Sequence, residues 1–216
     1  MRARWLTPAA AALALLAAAA AAPALAQAKK PGGRAASAPA SVAAVDYAER
    51  FRTVCAACHG TSGRSDQPGV PVLAGQYALY TITQLFLFRE GRRNNDAMLA
   101  LAKPMKDADL RGFSDYIGTL PPVPAPAPAS APDAARMARA QALAVQHKCT
   151  FCHGTDLAGG QQVPRIGGQK EEYVLATLRG FKSGERPGYT RAMTEALSQV
   201  PVEELDLLAY YVANLR

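Results

Sequence analysis

One unit occurs twice in this chain, and that repetition limits what it can fold into. Cys55-Ala-Ala-Cys58-His59-Gly60 matches Cys149-Thr-Phe-Cys152-His153-Gly154. Val70-Pro71-Val72-Leu73-Ala74-Gly75-Gln76 matches Val163-Pro164-Arg165-Ile166-Gly167-Gly168-Gln169. Phe88 to Arg93 matches Phe181 to Arg186, and Asp109, Leu110 and Tyr116 match Glu204, Leu205 and Tyr211. The offset stays between 93 and 95 residues throughout, so the order and the spacing both repeat, as duplication requires. Between the copies runs Pro121 to Pro132, in which proline alternates with small residues. Such a segment favours extended polyproline geometry and reads as a semi-rigid spacer.

The expected organisation is a leader over 1–26, a flexible tail over 27–44, a first domain over 45–121, a linker over 122–132 and a second domain over 133–216. The leader reading rests on a basic head (Met1 to Arg4), an apolar Ala/Leu run (Ala9 to Ala22) and a small-x-small site at Ala24-Leu25-Ala26. An exported protein is then expected, and no later segment is apolar for long enough to span a bilayer. The formal charge of +7 comes largely from the leader and tail. Residues 45–121 hold nine basic and eight acidic side chains, and residues 133–216 hold ten and nine. That balance gives no support for nucleic-acid binding, which needs a clustered basic footprint.

Both units are expected to be all-α. Helices are predicted over Val45–Ala56, Ala78–Arg89 and Asp107–Leu120, and in the second copy over Ala134–Cys149, Glu171–Phe181 and Val202–Leu215. Leu79, Ile82, Leu85, Phe86 and Phe88 recur at helical spacing, as do Leu110, Phe113 and Ile117. Units of about 80 residues bury little apolar surface and usually need a staple.

Cys-x-x-Cys-His supplies one. Two thiols three residues apart reach the two vinyl groups of a single haem, and the next residue, His, falls beneath the iron as proximal ligand. Cys55, Cys58 and His59 therefore predict one covalent haem c, and Cys149, Cys152 and His153 a second. A redox dithiol would need a βαβ context that is not seen here, and a shared zinc would have to bridge the spacer and about 90 residues. For the sixth iron position the repeat selects Met98 and Met193, which lie 12 residues before Leu110 and Leu205 respectively. Met105 aligns with Val200 and reads as core; Met137 has no counterpart. The expected iron ligands are thus His59, Met98, His153 and Met193. His147, the only histidine outside the motifs, is expected on a solvent-facing helix surface. Pro71 and Pro164 follow the proximal histidines, and their carbonyls are candidates to orient the imidazoles; a plain turn is the alternative. Arg93 and Arg186 stand between a helix and the Met segment, where they either pair with haem propionates or stay solvated.

The order Cys-x-x-Cys-His-Gly, Pro-x-Leu-x-Gly-Gln-Tyr, aromatic-Gly-Arg, Met, Asp-x-Asp-Leu and a Tyr helix resembles class I cytochrome c domains in tandem, especially the cytochrome c4 family. The resemblance covers nearly all of 45–216. It implies two haems near the domain boundary and an orienting role for Pro71 and Pro164. It also implies periplasmic or membrane-associated electron transfer to terminal oxidases. The chain departs from the pattern in its long Pro-rich linker, in Lys106 ahead of a helix-capping Asp107, and in Pro201, which replaces that Asp in the second copy.

The expected function is a periplasmic di-haem electron carrier in a respiratory chain, with no catalytic residues. Its expected partners are redox proteins: a membrane oxidase or reductase, or a dehydrogenase. Peripheral membrane association stays open. The alternatives are an electron-transfer subunit of a periplasmic dehydrogenase and a di-haem peroxidase, which needs an open iron with acid–base groups beside it.

Overall fold

Each half is built from helices whose apolar stripes close on one another. A computed structural model describes residues 45–128, 130–186, 188 and 190–215; the leader and tail predicted over 1–44 lie outside the described residues. The first half runs through α1 (Tyr47–Arg50), a π-helical turn (Phe51–Cys55), α2 (Ala56–His59), α3 (Ala78–Arg89), α4 (Asp96–Ala102) and α5 (Asp107–Thr119). The second has α6 (Ala134–Gln146), α7 (Cys149–His153), α8 (Glu171–Ser183), α9 (Ala192–Ser198), a 3-10 turn (Val202–Glu204) and α10 (Leu205–Asn214). Among the described residues there is no strand beyond an isolated Gly160–Val163 bridge, as the all-α reading expects. No described helix is long and apolar enough to cross a membrane.

In both halves the first helix crosses the last, and the two crossings are packed in opposite ways. In the first half Tyr47 of α1 meets Phe113 of α5 edge-on, with ring centroids 5.2 Å apart, and its hydroxyl donates to the Ala108 carbonyl at 2.9 Å. A methyl group on Gly112 would lie 2.0 Å from the Tyr47 ring, so only a hydrogen fits at the crossing. In the second half the small residues are on the first helix. Ala140 and Ala144 of α6, one turn apart, let Leu208 and Tyr211 of α10 pack closely. We expect Gly112→Ala to destabilise the protein by about 1–3 kcal/mol through overpacking, because the Tyr47 ring is held at both ends. Thermal denaturation checks this.

Four details differ from the sequence expectations. The helix predicted over Val45–Ala56 is continuous to His59 but widens into a π turn just before Cys55, with Phe51 wholly buried against Tyr116. Such bulges re-aim the residues that follow, often at functional sites. The helix predicted over Ala134–Cys149 breaks after Gln146, where Lys148 adopts a left-handed φ of 57°. No helix is predicted over the Met segments, yet Met98 and Met193 lie in the first turns of the short helices α4 and α9. Asn95 caps α4 by accepting from the Met98 N–H at 3.0 Å, and Lys182 donates to the last carbonyls of α9. At α5, Asp109 and not Asp107 closes the first turn, accepting from the Lys106 N–H at 2.9 Å; Asp107 pairs with Arg89.

The Pro-rich segment does not stand off as a spacer. Ala125 is buried with Val72 and Ala74, and its N–H donates to the Gly168 carbonyl at 2.7 Å. Pro122 lies on Gly75 and Pro124 on Gly168, two matched glycines at φ of 74° and 71°. A side chain at Gly75 would meet Pro122 at 2.6 Å. The strap thus binds both copies by sitting where neither has a Cβ, and Ala44–Arg216 forms one unit.

Candidate haem sites

The π turn and α2 in the first half, and α7 in the second, place the two Cys-x-x-Cys-His motifs on short helical turns. Cys55 and Cys149 are half-buried, Cys58 and Cys152 are exposed, and all four thiols are free of disulfides. Burial pushes the Cys55 thiol up to about 11, and Cys149 shifts in the same direction for the same reason. Neither inner cysteine is placed as a ready thiolate, so a regulatory redox dithiol is a poor match.

The histidines are buried and oriented alike. His59 Nδ1 lies 3.0 Å from the Pro71 carbonyl, and His153 Nδ1 lies 3.1 Å from that of Pro164. A carbonyl only accepts, so Nδ1 carries the proton in both rings. Nε2 then presents its lone pair, with no hydrogen-bond partner among the described residues. Burial lowers the pKa of both imidazoles, against the opposing effect of the carbonyl bonds, and so keeps them neutral. A neutral imidazole with Nδ1–H anchored and Nε2 free is the form that ligates a metal.

Met98 is half-buried against the first core, as Cys55 is, and Met193 is half-buried against the second, as Cys149 is. Met105 is buried in the first core, and Met137 packs against the second. Arg93 and Arg186 are not solvated. Arg93 donates to Gln84 at 2.7 Å and, across the boundary between the copies, to the Tyr173 hydroxyl at 3.0 Å. Arg186 donates to Thr177 at 2.7 Å and lies against the phenols of Tyr80 and Tyr173. Burial raises Tyr173, but the two guanidinium charges outweigh it and draw the phenol down to about 7. Neither arginine pairs with a carboxylate among the described residues. Two half-buried cations without counter-carboxylates suit a pair of anionic propionates.

His147 is also not where the sequence reading puts it. It ends α6, its side chain is only 11% exposed, and Nε2 lies 2.6 Å from Glu204. Glu204 matches Asp109, which is ion-paired with Arg50 of α1. Each acid thus ties the last helix of its half to the first, which is why His147 is drawn inward.

Sequence reasoning missed the residues that join the copies. The Gln169 side-chain amide clasps Val72, accepting from its N–H and donating to its carbonyl, both at 2.9 Å. Gln76 donates to the Arg165 carbonyl. Their signal was present, since both glutamines close the matched Pro-to-Gln stretch, and Tyr80 and Tyr173 are matched as well.

This donor set fits haem c: two thiols and an oriented imidazole per half, an apolar core, and cations for the propionates. The fold and the sites define a c-type cytochrome with two haem positions. The cytochrome c family model matches residues 47–121. A thiosulfate dehydrogenase electron acceptor of Thiomonas intermedia is 34% identical over 76% of this chain and 82% of its own length. Cytochrome c4 of Thiocapsa roseopersicina is 30% identical, covering 75% and 87%. The crystal structure of reduced cytochrome c4 from Pseudomonas stutzeri superposes with a TM-score of 0.70 at 25% identity, covering 79% of this chain and 97% of that one. The chain belongs to the cytochrome c4 family, the di-haem cytochromes c. It carries two covalent haem c groups and acts as an electron carrier.

Proposed function

We propose that this chain is a periplasmic carrier that moves electrons through two His/Met haems, one in each of two domains, 45–121 and 133–216, joined by the 122–132 strap. Cys55 and Cys58 tether the first haem, with His59 and Met98 on its iron. Cys149 and Cys152 tether the second, with His153 and Met193. Arg93 and Arg186 hold propionates at the boundary. Bound iron porphyrin supplies the one-electron ferric/ferrous couple; the chain supplies tethers, ligands and an apolar surround that disfavours net charge.

The observation that carries this reading is the matched pair of buried imidazoles, each fixed through Nδ1 with Nε2 free, in halves whose cores are each packed by a methionine. Soft thioether ligation favours ferrous iron and leaves no position open to substrate. A peroxidase would need an open iron and a spare acid–base group, and His147 is held by Glu204 instead. The ferrous protein is therefore expected not to bind carbon monoxide; rapid binding at either haem would overturn the carrier reading.

The donor is proposed to be a dehydrogenase, with a membrane oxidase or reductase accepting the electrons. The relative named as an electron acceptor of thiosulfate dehydrogenase supports this choice. Reduction of the purified ferric protein by such a dehydrogenase, followed in a stopped-flow spectrometer, tests it.

A further inference from the structure

We propose that Gln169, in the second copy, is a positioning residue for the proximal ligand of the first haem, and that the reverse control does not exist. The inference rests on His59 ligating that iron.

One peptide unit joins Gln169 to His59. The Pro71 carbonyl accepts from His59 Nδ1 at 3.0 Å. The N–H at the other end of the same peptide belongs to Val72, and it donates to Gln169 Oε1 at 2.9 Å. Gln169 Nε2 donates to the Val72 carbonyl at 2.9 Å, and Oε1 also accepts from the Lys170 N–H at 3.0 Å, so the orientation of the amide is fixed by these bonds. Val72 is 4% and Gln169 6% exposed, so water does not compete for either bond. A peptide whose N–H is engaged becomes a better acceptor at its carbonyl, by roughly 10–30% per bond in a buried chain. Gln169 therefore strengthens the Pro71–His59 bond from across the boundary. A stronger bond at Nδ1 makes the imidazole more basic at Nε2, which favours ferric iron and lowers the potential.

The second copy has the same letters without the same bonds. Pro164 accepts from His153 at 3.1 Å, and Gln76 Nε2 reaches the Arg165 carbonyl. Gln76 Oε1, however, is buried with no hydrogen-bond partner among the described residues, so it does not engage the Arg165 N–H. Gln76 clasps the neighbouring copy without polarising the peptide that holds His153.

The test uses the full-length di-haem protein, with the potential of each haem resolved by NMR-monitored redox titration and the His59 and His153 Nδ1–H resonances followed in the ferrous state. Gln169→Leu is expected to favour ferrous iron at the first haem about twofold, ~18 mV for one electron. The His59 Nδ1–H should shift upfield, with the second haem unmoved. Gln76→Leu should leave the second haem's potential unchanged. Gln169→Glu, which keeps an oxygen acceptor for the Val72 N–H, should not raise the first haem. The proposal is overturned if Gln169→Leu moves the second haem alone, both haems equally, or neither while two His-ligated haems are present. A wild-type spectrum without two His-ligated haems overturns the ligand reading together with the proposal.

Discussion

Met98→Ala and Met193→Ala should each abolish about half of the ferric thioether-to-iron charge-transfer absorbance, because each would remove one of two equivalent sulfur ligands. Each variant should also gain carbon monoxide binding at one haem in the ferrous state, where the wild type binds none. The potential of the altered haem should fall, since thioether ligation favours ferrous iron. The two variants should behave alike. Both methionines occupy the first turn of a short matched helix, and each packs against the core that the first cysteine of its own motif also packs against. Met105→Leu is the control: its side chain is buried in the first core, its repeat counterpart is Val200, and the band should persist. An intact band in Met98→Ala would transfer the ligand role to Met105.

The second large effect is expected from Cys149→Ala/Cys152→Ala, which removes both tethers of one haem. Cys149 packs against the core formed by Leu157, Val174, Leu205 and Tyr211. A unit of about 80 residues has only about 5 kcal/mol of stability to lose. Taking away its largest apolar body should therefore melt α6–α10 in a separate, earlier transition, seen by far-ultraviolet circular dichroism as loss of about half the helical signal. The first half should survive with its own haem but with lower stability. The Gln169 clasp on Val72 and the Tyr173 partner of Arg93 both come from the second half. A single unchanged transition would show that the second haem is not part of that core.

Much of this could be read from the letters because the chain states its plan twice. The long helices α5 and α8 carry clear apolar periodicity, and their positions follow from it; α3 is apolar on most of its faces, and Leu79, placed in its stripe by spacing, is exposed. Helices α4 and α9 were not legible, because seven residues give too short a window for a 3.6-residue period and α4 depends on an Asn95 cap. The break at His147 and Lys148 carries no Gly or Pro and is imposed by tertiary contact, in which Glu204 draws His147 inward. The linker misled for another reason. Its composition gives polyproline geometry, but whether such a segment stands free depends on what lies beside it. Here two glycines in distant turns receive its proline rings. The Gln169–Val72 clasp was visible only as matched letters, since its partner lies in the other copy. Duplication hides the asymmetry as well: Val72 is answered by Arg165, and the Gln76 oxygen finds no partner among the described residues.

The most direct test of two haems, one tethered in each half, is the intact mass of the purified protein under denaturing, reducing conditions. The account predicts a chain heavier by two porphyrins that stay attached on unfolding, with none of the four cysteines open to alkylation. A chain of unmodified mass with four reactive thiols would contradict it.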